Sequence, residues 1–329
     1  SWPSILLLVP VLLGVIIIAA RTILQPYTPF PGDQLFRWDF LPFKMLATGN
    51  LDYYPPVRSA DFEHYFFPDG IPPLVQFTYF WLYAICGEVR SWLHFVPVTL
   101  QYALLSCLAY RIAVEIGQSR LSGWLAAGML AASPLLFHAV LIGQETGLTA
   151  IAVAATTYYL LIAKHEDGYW PFILSGCSTA LGALSRDYGV AFPLFGLITG
   201  IWLRHPPRRL LIYLAFAIIL PAPWYLRNWF LTGNPLYSNN LFGLFHVNPV
   251  HAGILSTYFE NRGAGIVSPF QFVSALKCLA LNAPGPFLIG VPACLWLFRR
   301  HGHLLITCLL MSMIWMYALT LGNMFHSFR

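Results

Sequence analysis

The chain has 329 residues, of which 58% are hydrophobic, 16% aromatic and 9% charged, with a mean hydropathy of +0.65. These values exclude an ordinary soluble domain, in which charged residues make up about a quarter of the chain. The net charge of +5 does not describe a basic nucleic-acid-binding face, because much of the excess sits in short clusters between apolar runs, where it reports membrane topology.

The first run, "SWPSILLLVPVLLGVIIIAAR", has about the length needed to cross a ~30 Å hydrocarbon core. It lacks a basic n-region and a small-residue cleavage site, so it is expected to be a retained span. Further apolar runs follow at 71–86, 92–110, 122–143, 147–163, 171–185, 188–203, 210–231, 284–298 and 304–322. The expected fold class is an all-α polytopic membrane protein. If every run crossed, "RHPPRR" (204–209) would share a side with the acidic segment 22–70, against the rule that Lys and Arg stay cytoplasmic.

Reading 71–86, which is short and opens "IPPLVQF", as an interfacial or re-entrant helix removes the conflict. The clusters 111–120, 164–169, 204–209 and 299–303 then face the cytoplasm. The loop 22–70, the turn at Glu145, the Arg186–Asp187 corner and 232–268 face outside, and 269–284 lies at the outer surface. Residues 1–231 are expected to form a transmembrane module with a large first external loop, 22–70. Residues 232–329 are expected to add an external loop and further spans, continuing beyond residue 329. The six cysteines stand singly in or beside apolar runs, as small core residues do.

The first loop holds six of the thirteen carboxylates: Asp33, Asp39, Asp52, Asp61, Glu63 and Asp69. Chain-distant polar groups arrive at the same outer face. Glu145 sits in "IGQETG", Arg186 and Asp187 interrupt the apolar "ALSRDYGVAF", and Arg227 ends a span in "PWYLRNWFLTGNPLY". Ionisable groups at such positions need a partner or a wet cavity. Carboxylates and arginines together suit a chemistry that combines a base with a phosphate anchor.

Asp33 followed by "FRWDFLPFKMLATGNLDYYPP" resembles the first external loop of the GT-C membrane glycosyltransferases, in particular the relatives of protein O-mannosyltransferases and lipid A aminoarabinose transferases in the glycosyltransferase family 39-like group. "FFPDGIPPLVQF", "ALSRDYG", "PWYLRNWFLTGNPLY" and "HSFR" are similar to later patterns of that family, and "GDQ" departs from the Asp-Glu of many relatives. The resemblance implies a GT-C-like helical bundle at a bacterial inner (plasma) membrane. It implies transfer of a sugar from a polyprenyl-phosphate donor to a protein, lipid or glycan acceptor on the periplasmic or lumenal side.

By the same resemblance Asp33 is the general base and Glu145 the second acid, while Arg186, Arg227 and Arg329, with Asp187 beside them, hold the donor phosphate. A divalent metal at Asp33 is compatible with the family, although no ligand spacing indicates one. Membrane lipids and membrane-complex partners are expected, and nucleic acid is not.

Plainer readings stand beside these. Asp33 also reads as a solvated loop acid, Asp39 as a partner of Arg37 or an interfacial acid, and Asp52, Asp61 and Asp69 as turn or cap residues. Glu145 also reads as the cap of the following helix, Arg186–Asp187 as a structural ion pair, and Arg227 as a snorkelling side chain among Trp224, Tyr225 and Trp229. His64, His246 and His251 share the outer side with Asp33 and read more simply as loop histidines than as ligands. The alternative function is a non-catalytic accessory subunit of the same fold. A transporter ranks behind both, since no internal repeat is visible.

Overall fold

The computed structural model describes residues 2–24, 38–63, 70–141, 143–237 and 243–253, together with residues 277, 280, 281, 284, 285, 288 and 292. Among these the regular elements are helices. The apolar first run forms α1 (Trp2–Leu24), and the first loop contributes α2 (Phe40–Thr48) and α3 (Ser59–Glu63). Next come α4 (Leu74–Cys86), α5 (Phe95–Gly117), α6 (Arg120–Ala131), α7 (Pro134–Leu141) and α8 (Glu145–Ile162). The series ends with α9 (Trp170–Ser185), α10 (Phe192–Trp202), α11 (Pro207–Ile219) and α12 (Ala222–Thr232). Short 3-10 turns at Ser91–His94 and Asp187–Ala191 lead into α5 and α10.

By length and composition α5 and α8 are each able to cross a membrane, and the bent pair α11–α12 provides a further candidate. Two of the expected spans are broken. The run 122–143 divides into α6 and α7 at Ala132–Ser133, ahead of Pro134, whose ring disfavours helical backbone at the preceding residue. The carbonyl of Ala131 exposed by that break accepts from the Tyr102 hydroxyl at 2.7 Å, as backbone at membrane depth requires. The run 210–231 bends by 47° between α11 and α12, where Pro221 has no N–H to offer the preceding turn. At 13 residues, α4 is about 20 Å long at a rise of ~1.5 Å per residue, short of a ~30 Å core. It buries Val75, Gln76, Tyr79 and Tyr83 on one face.

The interior is built in two parts. Tyr102, Val98 and Leu105 of α5 meet Ile18 of α1, Val140 of α7 and Ile151 of α8. Farther along, Leu160 of α8, Phe172 of α9 and Tyr213 of α11 meet. Helices α8 and α9 approach closely through small side chains. Thr156 and Thr179 share a hydrogen bond of 2.9 Å, and Ser175 donates to the Thr156 carbonyl at 3.2 Å. Small hydroxyl residues let helix backbones approach and satisfy each other without water.

The first loop is bound to this bundle by two apolar clusters. One joins Trp38 to Ile71, Val75, Tyr79, Tyr83 and Leu93, and the other joins Leu41, Met45, Tyr53 and Tyr54 to Trp224 of α12. Of the loop's acids, Asp39 is therefore carried on packed structure.

Candidate functional site

Glu145 opens α8 after Gln144, whose backbone is extended and makes no side-chain cap. A carboxylate in the first turn suits the positive end of the helix dipole. Arg186 closes α9 in extended conformation (φ −151°, ψ 148°), and a guanidinium suits that helix's negative end. The Arg186 Nη1 group donates to Glu145 Oε1, and the two residues are only 3% and 5% exposed. Two charges so far from water are tolerable only as a hydrogen-bonded pair. Glu145 thus holds a charge partner from α9, which a capping role alone does not explain. Arg186 finds its acid in Glu145, and its guanidinium also lies 5.4 Å from the centre of the Tyr188 ring.

The second carboxylate oxygen, Glu145 Oε2, is buried with no hydrogen-bonding partner among the described residues, and the same holds for Gln101 Oε1. The Gln101 side chain lies against Gly147, where a Cβ would collide with its amide. Glu145 Oε2 on α8 and Gln101 Oε1 on α5 are therefore buried acceptor oxygens, and an unmade hydrogen bond at such a group costs about 1–3 kcal/mol. Such oxygens are suited to receiving a proton or a donor group from a ligand.

Within the first loop, Asp39 departs from expectation. It is buried and accepts a hydrogen bond from the Tyr83 hydroxyl, with His94 Nε2 3.1 Å from the same oxygen. The polar side chains that α4 and the 3-10 turn bury there give it a better-sheltered site than the membrane interface. Asp61 holds a turn, its Oδ2 accepting from the amides of Val57 at 3.1 Å and Arg58 at 2.8 Å. Asp33, Arg37, His64, Asp69 and Arg329 lie outside the described residues, as does the side chain of Asp187.

Arg227 does not snorkel away from the protein. Its Nη1 donates to the Tyr54 carbonyl at 2.7 Å and its Nη2 to that of Leu51 at 3.0 Å, with the guanidinium 5.6 Å from the Trp224 ring centre. A planar fork is well shaped to take two carbonyls at once. Beside it opens a cavity of about 920 Å³ lined by Asp52, Arg58, Asp61 and Arg227 and by the apolar Leu226 and Phe230. Tyr53 also lines it, and burial pushes that phenol above its ordinary value, partly offset by a hydrogen bond with Thr48. Arg186 is not among the lining residues.

His246 accepts at its backbone carbonyl from Asn234 Nδ2 at 3.1 Å, whereas His251 is fully buried in the helical residues 249–253 with its ring 5.4 Å from that of Tyr237. Among the described residues no three His, Cys, Asp or Glu side chains converge. Sequence reasoning missed Tyr79, Tyr83, His94 and Gln101, each of which reads as an ordinary residue of an apolar helix. For Tyr79 and Tyr83 a signal existed, because tyrosines four residues apart share one helix face.

Residues 71–225 match the family model described as dolichyl-phosphate-mannose-protein mannosyltransferase. No curated protein and no solved structure matches the chain. The matched segment runs from the residues before α4 into the first turn of α12, so it contains Glu145 and Arg186 and stops short of Arg227. Over this segment the chain is similar to that family, which falls in the GT-C, glycosyltransferase family 39-like group.

Proposed function

We propose that the protein transfers a sugar from a polyprenyl-phosphate donor to a hydroxyl or amine of a protein, lipid or glycan acceptor at the outer face of a membrane. One observation carries the reading: inside the family-matched segment, the buried Glu145 carboxylate has one oxygen on Arg186 and the other unpartnered among the described residues. In such a transfer the acceptor oxygen or nitrogen bonds to the anomeric carbon. The bond from that carbon to the phosphate oxygen breaks, the electron pair leaves with the phosphate, and the acceptor's proton passes to a carboxylate.

Asp33 serves as that base by resemblance, and Glu145 as the second acid that orients the acceptor. Arg186 beside Glu145, Arg227 at the cavity, and Asp187 and Arg329 form the candidate set around the donor phosphate. A guanidinium matches phosphate geometry and balances the charge developing on the leaving group. The test is to reconstitute the protein in lipid nanodiscs and supply labelled polyprenyl-phosphate sugars. Release of polyprenyl phosphate is expected with the native chain, and Glu145→Asp, which keeps the charge but withdraws it, should slow that release at least tenfold. A Glu145→Asp variant turning over at the native rate would remove Glu145 from the reaction.

A non-catalytic accessory role is favoured by a different observation. Arg227 donates to two backbone carbonyls of the first loop, so its guanidinium is engaged in holding that loop. Under that reading the native protein releases no polyprenyl phosphate from any such donor.

A further inference from the structure

Among the described residues few local hydrogen bonds hold the start of α8. Gly143, at φ +68°, closes α7 by donating its N–H to Val140 at 2.9 Å, and Gln144 contributes no side-chain cap to α8. The remaining hold is tertiary, and beside the Glu145–Arg186 pair it includes one bond from α4. The Tyr79 hydroxyl, buried on α4, donates to the Gly143 carbonyl at 2.6 Å, two residues before Glu145.

Tyr79 is itself fixed from the other side. Its ring packs on that of His94 with centroids 4.3 Å apart, and His94 Nε2 lies 2.6 Å from the Tyr83 hydroxyl and 3.1 Å from Asp39 Oδ1. The Tyr83 hydroxyl donates to Asp39, and in the tautomer with a proton on Nε2 His94 donates to the same two groups. Tyr79, Tyr83 and His94 are each at most 1% exposed, and Asp39 is 9% exposed. A satisfied polar network at such depth has one arrangement, because any shift leaves a buried group unpaired. Asp39 directly precedes α2, so the network also fixes where the first loop joins the bundle.

We infer that Tyr79 is a positioning residue, transmitting the Asp39–Tyr83–His94 anchor of the first loop to the turn that carries Glu145. The inference rests on the reading of Glu145 as the second acid of the transfer. Its consequence is that two parts of the site, the first loop and the head of α8, are set relative to one another by α4. Placement matters at this scale, because a misplacement of about 1 Å in a reacting assembly costs up to ~10²-fold in rate.

The test uses the full chain in nanodiscs with Tyr79→Phe, which removes the bond to Gly143 and keeps the ring against His94. Expected are a thermal midpoint lowered by no more than the loss of one buried hydrogen bond, an unchanged donor KM and a kcat lowered by about 10- to 100-fold. In a Glu145→Gln background the same substitution should have little further effect, because two residues acting through one another are non-additive. Hydrogen exchange gives a readout independent of activity: amides 143–147 should lose protection in Tyr79→Phe while the rest of α8 keeps it. Native kcat in Tyr79→Phe, or an equal loss in both backgrounds, overturns the inference. A midpoint, KM and kcat that fall together also overturn it, by making the role structural. If the native chain transfers no sugar, the functional reading fails, and the exchange measurement alone decides whether Tyr79 holds the turn.

Discussion

Arg227 donates to the backbone carbonyl of Tyr54, 173 positions earlier in the chain, at 2.7 Å. The same guanidinium takes the Leu51 carbonyl, and the Tyr54 ring stacks on Trp224 one turn away on α12 with centroids 5.7 Å apart. Together these contacts fasten the first loop to α12. Replacing Arg227 with Lys keeps the charge but not the planar fork whose two nitrogens each serve one carbonyl. We expect Arg227→Lys to lower stability by about 1–2 kcal/mol, and Arg227→Gln by somewhat more, as charge-assisted bonds to the loop are lost. Thermal unfolding in detergent, with limited proteolysis between residues 49 and 60, measures both effects. A native midpoint and unaltered cleavage in Arg227→Gln would show that the loop is held by Trp224 and its apolar neighbours alone.

The Glu145–Arg186 pair makes a prediction about signs. Removing either partner strands the other charge in a buried site, which costs about 3–5 kcal/mol. Removing both leaves no such charge, so the pair replacement Glu145→Gln with Arg186→Met should be far closer to native stability than either single change. Thermal midpoints of the three variants check this directly. Additive losses would mean that the two groups do not depend on one another for burial.

His205, in the turn between α10 and α11, predicts a pH dependence. Burial pushes its pKa below the ordinary value. The hydrogen bond to the Leu160 carbonyl, at 2.8 Å, opposes that shift, while Lys164 and Arg209 reinforce it. The unfolded chain therefore binds this proton more readily than the folded one, and stability rises with pH across the interval between the lowered value and about 6.5. As pH falls below about 6.5 stability should decline, then level off once the folded form is also protonated. His205→Gln, which retains a donor for Leu160, should flatten that segment of the curve. A midpoint whose slope between pH 5 and 7 is the same in native and variant protein would contradict the assignment.

Gly189 lies on the Gly182 backbone, where a Cβ would overlap the Gly182 carbonyl. Backbone has nowhere to move at that contact, so Gly189→Ala should cost about 1–3 kcal/mol by overpacking. The same change displaces the 3-10 turn that follows Arg186. Loss of folded yield, seen by size-exclusion of the detergent-solubilised protein, checks it.

Much of the fold was legible because membrane helices are read from apolar length, and α1, α5, α8 and α9 fall where such runs occur. The breaks at Pro134 and Pro221 were visible as prolines but hidden inside runs that stay apolar on both sides. Hydropathy does not sense a missing N–H. The site was legible only in parts. Glu145 and Arg186 stood out as charges in apolar surroundings, yet their pairing across 41 residues is a property of the packing of α8 against α9. Asp39 reads in the sequence as a partner of Arg37 or an interfacial acid, and Arg37 lies outside the described residues; its described partners, Tyr83 and His94, stand 44 and 55 positions onward. Tyrosine and histidine at those positions carry no mark of a polar network until the chain is folded.

The most direct test of the account is sugar transfer by the reconstituted native chain beside Asp33→Asn, with labelled polyprenyl-phosphate sugars and product separated by chromatography. The substitution keeps the shape of the side chain and removes the base. The account predicts transfer by the native protein and a loss of roughly 10²-fold or more in Asp33→Asn, with donor binding retained. Absence of transfer from every polyprenyl-phosphate sugar by the folded native protein would contradict it.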